Sequence, residues 1–424
     1  MRLALPAALA AVAIALLLPS FASASPYIQY GVQDDAYLSA GPTLESRLQT
    51  LDRLGVKLVR YTVDWRQVAL KKPRKAVNPG DPAYDWSDAD AVLNALHKRK
   101  ISVLVTLYGT PAWANGGQPA NVLPTSKYSL SAFALAVATR YPWIRMWEIW
   151  NEPNLRRFLS PNSPALYVQR LLNPTYAVLH SLRPGNRVAG GATSPRPTSS
   201  GLSPVSFMRG MRLARARLDA YSHHPYPVTR GETPSGFAHG VCRYCKGVLT
   251  LANLPSLLKE VQRDFGRKRI WLTEYGYQTD PFGVSTSLQA QYVSQAAIRA
   301  KSARYVDVLI QFVVKDEPRL AGWQSGFLTQ FGALKPSFFA YMLPIAQQAR
   351  RGNRTTIWGQ VRPGSGRRLY KLQRLVGGSW ASVGGYQLTN SRGTYLRVVN
   401  ARKGTRFRVY WPADKRTSQV IAIR

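Results

Sequence analysis

The chain has 424 residues, 45% hydrophobic and 18% charged, which excludes a disordered or fibrous protein and leaves room for one large domain with a smaller companion. Lys and Arg total 57 against 21 acidic residues, a net charge of +36, so the surface suits anionic partners. No nucleic-acid-binding module accompanies that charge, which argues against specific nucleic-acid recognition.

In chain order, Met1-Arg2 gives a positive start, Leu3 to Leu18 an apolar run, and Ala22-Ser23-Ala24 a small-residue cleavage site. This reads as a secretory signal peptide over residues 1–24. The expectation is an exported, extracellular protein with no membrane span after cleavage. In that setting an anionic cell wall or acidic glycan is the natural partner of the basic surface.

From Tyr27 to about Gln348, short apolar runs alternate with longer helical stretches. The predicted strands are Ile28–Val32, Lys57–Asp64, Ser102–Tyr108, Arg145–Trp150, Arg187–Gly191, Leu218–His223, Arg269–Thr273 and Asp307–Val313. Predicted helices lie between them, among them Leu44–Leu54 before Gly55, Ala165–Leu182 and Leu254–Phe265 before Gly266. Alternation of this kind builds a parallel sheet, and eight strands suit a closed barrel. The fold class is therefore α/β, a (β/α)8 TIM barrel over residues 25–349.

Between the sixth and seventh strands stand Cys242 and Cys245, in Cys-Arg-Tyr-Cys. Outside the cell a short-loop disulfide is the default. A metal site with His239 would want a fourth ligand, which the sequence does not offer. Beyond about Arg350, short β-rich runs separated by Gly-rich turns predict a small all-β sandwich over residues 350–424. Its charge is one-sided, with Asp414 the only acidic residue.

The chemistry concentrates at two strand ends. The fourth strand runs into Trp147-Glu148-Ile149-Trp150-Asn151-Glu152-Pro153-Asn154. The seventh ends as Ile270-Trp271-Leu272-Thr273-Glu274-Tyr275-Gly276. Strands four and seven face one another across an eight-stranded barrel, and working groups gather at strand C-terminal ends. Glu152 and Glu274 can then approach one bond from opposite sides, the arrangement a glycosidic acetal requires. An Asn beside the acid can hold a sugar 2-hydroxyl. The orientation of Glu148, the other carboxylate on the fourth strand, is left open.

With these residues the chain resembles the clan A glycoside hydrolases, most closely families 39 and 5, over about Tyr27 to Gln348. The resemblance implies retaining double-displacement hydrolysis without metal or organic cofactor, with Glu152 as acid/base after Asn151 and Glu274 as nucleophile. It casts Arg60, in Leu58-Val59-Arg60-Tyr61, as the nucleophile's charge-assisted support. In Tyr221-Ser222-His223-His224-Pro225-Tyr226 it matches a His-x-Tyr pattern. His224 would line the cleft and Tyr226 would hydrogen-bond the nucleophile. The pattern departs at strand eight, where Leu309 to Asp316 lacks the tryptophan that floors the sugar subsite, and Trp323 in the next loop is the candidate substitute. Trp113 and Trp150, with Trp65 and Tyr108, are candidate subsite walls. The expected substrate is an oligosaccharide or polysaccharide. The alternative is a non-catalytic, secreted glycan-binding protein on a degenerate barrel.

Overall fold

The computed structural model describes residues 28–229, 231–237, 247–279, 281 and 283–424. The predicted signal segment and the Cys242 and Cys245 pair lie outside the described residues.

Eight strands close into a parallel barrel in sequential order: β1 (Gln29–Gln33), β2 (Leu58–Asp64), β3 (Ser102–Tyr108), β4 (Met146–Ile149), β5 (Arg187–Thr193), β6 (Ala220–His223), β7 (Arg269–Tyr275) and β8 (Val306–Phe312). Helices cover the outside, so the strands are buried on both faces, which is why they read as continuous apolar runs. The helix Leu44–Leu54 buries Leu48, Leu51 and Leu54 and stops at Gly55, whose φ is +73°. A Cβ at Gly55 would also come within 2.5 Å of the Arg362 carbonyl carbon, so two constraints demand glycine there. The predicted helix over Ala165–Leu182 is interrupted. It runs as α-helix over Pro164–Tyr167, widens to a π turn over Val168–Leu172, and resumes over Asn173–Leu182. Pro174 has no N–H for the preceding turn, and the widened turn absorbs that loss.

A cluster of buried apolar side chains from β2 to β8 plugs the lower barrel: Leu58, Leu104, Met146, Ala189, Ala220, Trp271, Val308 and Ile310. Trp271 is the largest side chain of this cluster, which also holds the small Ala189 and Ala220. Alternate residues share a face, so the residues two positions beyond this apolar floor also point into the barrel.

Nine short strands follow: β9 (Ile345–Arg351), β10 (Arg354–Gln360), β11 (Leu369–Val376), β12 (Ser379–Ser382), β13 (Gln387–Leu388), β14 (Thr394–Asn400), β15 (Arg406–Trp411), β16 (Arg416–Thr417) and β17 (Ile421–Ala422). They form two antiparallel sheets, β14-β10-β9 and β12-β11-β15-β16, with β13 added to β11 and β17 to β15. The expected domain boundary at residue 349/350 falls inside β9, which begins at Ile345. β9 is an edge strand with only Ile345 and Ala346 buried, so its polar remainder carries little strand signal. Arg362 joins the two domains. Its guanidinium lies 4.2 Å from the ring centroid of Tyr30 on β1 and 4.0 Å from that of Tyr341 in the last barrel helix, Pro336–Met342. Among the described residues no helix is long and apolar enough to cross a membrane.

Candidate active site

Two residues above the apolar floor the barrel interior turns polar. Leu58 is followed on its face by Arg60, Leu104 by Thr106, Met146 by Glu148, and Ala220 by Ser222, and all four polar residues are buried. Glu148 therefore points inward. Its Oε2 accepts from Arg60 Nε at 2.6 Å and from Thr106 Oγ1 at 2.9 Å. Burial alone would raise the Glu148 pKa, but the Arg60 and His224 charges and its hydrogen bonds hold it below its ordinary value.

Arg60 is the hub of this layer. Its Nη1 donates to Glu274 Oε1 at 2.5 Å and to Gln33 Oε1, and its Nη2 donates to Asn151 Oδ1 at 3.0 Å. The guanidinium has no exposed surface, so its charge is balanced by the two glutamates and not by water.

The chain leaving β4 is forced into an unusual path. Trp150 has φ +74° and Glu152 φ +39°, both in the left-handed region, as has Ala192 on β5 at +42°. Trp150 N donates to Leu107 O at 3.0 Å and Glu152 N to Ala192 O at 2.9 Å, so β3 and β5 pin the turn from either side. Non-glycine residues there cost about 1–2 kcal/mol each, and such strain gathers where a side chain must be aimed. The aim here is the cleft.

That cleft, about 1010 Å³, opens at the C-terminal ends of the strands, and Asn151, Glu152, Glu274, Tyr226 and Trp323 all line it. One carboxylate oxygen of Glu152 and one of Glu274 lie within 4.8 Å of each other and of a His224 ring nitrogen. Tyr226 donates its hydroxyl to Glu274 Oε2 at 2.9 Å. Burial, then the Glu274 charge and that bond, push the Tyr226 pKa well above its usual value, so it stays a donor.

His224 is placed differently from expectation. It does not line the cleft but lies fully buried behind the carboxylates, with Nδ1 3.0 Å from Glu152 Oε1 and 3.5 Å from Glu274 Oε2. Burial works against its charged form, yet Glu274 and Glu152 together raise its pKa above 6.5. His223 is the opposite case. Thr193 Oγ1 and Leu249 O engage its two ring nitrogens, each at 2.8 Å, and burial drives its pKa down to about 3.

The aromatic predictions divide. Trp323 lines the cleft, its ring 4.7 Å from Tyr226 and 5.2 Å from Phe312 between centroids. Trp150 does not reach the cleft, because its indole is buried and donates to Phe158 O at 2.8 Å. Its ring instead backs Tyr108, 4.9 Å away, which does line the cleft. Trp113 is also a packing residue, donating to Ala69 O at 2.7 Å and meeting Trp65 edge-on at 5.7 Å. Phe158, Phe312 and the half-buried or exposed charges Asp35, Arg157 and Arg196 also line the cleft, none of them a candidate from the sequence. Phe312 ends β8, and the others stand outside the barrel strands, where no periodic signal marks them.

Glu152, His224 and Glu274 together offer three metal-ligating atoms. Each carboxylate already accepts from a protein donor, and the Arg60 charge lies against Glu274. A cation would have to displace these donors beside a fixed positive charge, so the donor set fits a hydrogen-bonded acid pair better than a metal centre.

No family model and no curated protein matches the chain. Solved structures do. The family 39 glycoside hydrolase from Xanthomonas axonopodis pv. citri is 15% identical with a TM-score of 0.59, over 92% of this chain and 95% of its own. A family 39 glycoside hydrolase from Bacteroides cellulosilyticus WH2 is 18% identical with a TM-score of 0.58, over 88% and 81%. A glucosidase from Croceicoccus marinus is 13% identical with a TM-score of 0.59, over 87% and 92%. The chain shares the fold of these enzymes, a (β/α)8 barrel followed by β-sheets.

Proposed function

We propose that the protein is an exported glycoside hydrolase that cleaves O-glycosidic bonds in an oligosaccharide or polysaccharide with net retention. The observation that carries this reading is that Glu152 and Glu274 line one open cleft with a carboxylate oxygen of each within 4.8 Å of the other, close enough for both to flank a single glycosidic bond. Retaining enzymes hold their two carboxyl groups about 5–5.5 Å apart, whereas inverting enzymes leave about 6.5–9.5 Å for a water. The fold shared with family 39 enzymes supports the same reading.

In the first step Glu274 Oε attacks the anomeric carbon while Glu152 gives its proton to the departing glycosidic oxygen. The Glu274 ester replaces the broken C–O bond. In the second step Glu152 takes a proton from water, whose oxygen displaces Glu274 from the same carbon. Arg60 and Tyr226 hold Glu274 from two sides, which fixes its attack direction. Arg60 also occupies Asn151 Oδ1, so the Asn151 amide N–H2 is the group turned to a sugar hydroxyl. Trp323 supplies an aromatic wall. The signal-like N-terminus and the +36 charge suit work in an anionic wall or acidic glycan matrix.

The test is a panel of 2-deoxy-2-fluoro glycosides with an activated leaving group, read by peptide mass spectrometry. The expected result is one covalent sugar on the peptide containing Glu274, absent in Glu274→Ala. A protein that binds glycans without labelling, or a Glu274→Ala variant with full turnover, would defeat the assignment.

A further inference from the structure

From Ile345 to the C-terminus the chain carries 17 Lys and Arg and one acidic residue, so close to half of the net +36 falls in its last fifth. That one acid, Asp414, is engaged by Arg416 at 3.3 Å. Alternation sorts the rest of the larger sheet into two faces. Tyr370 and Leu372 on β11 and Phe407 and Val409 on β15 turn inward and are buried. Lys371, Gln373, Arg408 and Tyr410 turn outward and are half-buried.

On that outer face the strand register builds a ladder. Gln373 stands opposite Arg408, and Lys371 opposite Tyr410. Arg408 Nε donates to Gln373 Oε1 at 2.8 Å, and its guanidinium lies 4.3 Å from the ring centroid of Trp380 on β12. Lys371 Nζ lies 4.1 Å from the ring centroid of Tyr386, which is 49% exposed. Among the described residues neither cation pairs with a carboxylate. Rings and amides orient the two charges without cancelling them, the condition for a preorganised anion site.

We propose that the outer face of β12, β11 and β15 binds a carboxylated polysaccharide at a site separate from the barrel cleft. Its carboxylates would take charge-assisted bonds from Arg408 and Lys371, and its ring C–H faces would meet Trp380 and Tyr386. Charge complementarity selects a polyanion. The choice of a glycan over a nucleic acid rests on the reading of the barrel as a glycoside hydrolase.

The test uses the full chain, as wild type and as Glu274→Ala, retained on immobilised polygalacturonate. The same polymer fully methyl-esterified and double-stranded DNA serve as comparisons. Arg408→Gln with Lys371→Gln should weaken retention on polygalacturonate about tenfold or more. Arg402→Gln with Lys403→Gln, on the exposed turn before β15, removes the same charge elsewhere and should change it less than about twofold. In unsubstituted protein the polymer should slow amide exchange in β11 and β15, a readout that needs no variant to fold. Equal weakening by the two pairs would overturn the proposal, as would equal retention on the methyl ester or DNA retained as tightly and lost with the same face. Because retention needs no turnover, an inactive barrel leaves the result unchanged, and failed retention leaves the barrel assignment standing.

Discussion

Arg60 and Glu274, 214 residues apart in the chain, meet at 2.5 Å with the guanidinium wholly enclosed. The same guanidinium neutralises Glu148 below them, so the residue that steadies the proposed nucleophile also keeps a second buried carboxylate tolerable. Function and stability therefore share one side chain, and substitutions can separate them.

Arg60→Met strands Glu148 as a buried charge without a partner and should lower unfolding free energy by about 3–5 kcal/mol, read by denaturant titration. Arg60→Lys keeps a charge but cannot fork to Glu148, Glu274 and Asn151 at once. It should fold with a smaller loss while turnover drops roughly a hundredfold. Undiminished turnover in the lysine variant would break the link between the fork and the nucleophile.

The left-handed turn at Glu152 reverses an ordinary preference. With φ at +39°, alanine pays the left-handed penalty and glycine does not. Glu152→Gly should be at least as stable as Glu152→Ala, by up to about 1 kcal/mol after the glycine's chain entropy is counted. Thermal unfolding of the two variants side by side decides it, and a clearly more stable alanine variant would mean the turn is not strained.

Stability should depend on pH in two opposite senses. The folded-state pKa of His224 is raised above 6.5, so its contribution is full below 6.5 and fades as pH rises through the folded value. The Glu148 pKa is lowered from 4.5, so its contribution is present above 4.5 and is lost as pH falls through the folded value. The stability gap between wild type and His224→Gln should accordingly close toward alkaline pH, and that for Glu148→Gln toward acid pH. Urea midpoints across the pH range check both. Gaps that stay constant would show that the charges do not act as described.

Two tryptophans that look alike in the sequence should behave unlike. Trp323 forms cleft wall, so Trp323→Ala should lower kcat/KM by roughly tenfold or more, the effect of about 1.4 kcal/mol or more of lost binding. Trp113→Phe removes the bond to Ala69 O and should cost about 1 kcal/mol of stability with kinetics unchanged. Steady-state rates and melting curves for each variant separate the roles, and a kinetic defect in Trp113→Phe would return it to the cleft.

The sequence by itself determined the barrel, the second β domain and the two carboxylates at opposed strand ends. Those follow from periodicity and from the geometry that collects all strand C-termini on one rim. Tertiary structure decided how each side chain points. Strict alternation from Trp271 in the floor would turn Glu274 outward, but the β7–β8 pairing slips between Leu272 and Tyr275, and Glu274 faces the cleft. Trp150 is turned away, and Glu152 inward, by a left-handed path pinned to β3 and β5. His224 is buried beside the carboxylates and Trp113 packs on Trp65, contacts made between segments far apart in the chain. Register slips and left-handed turns are held by contacts with strands dozens of residues distant, and no local pattern encodes them.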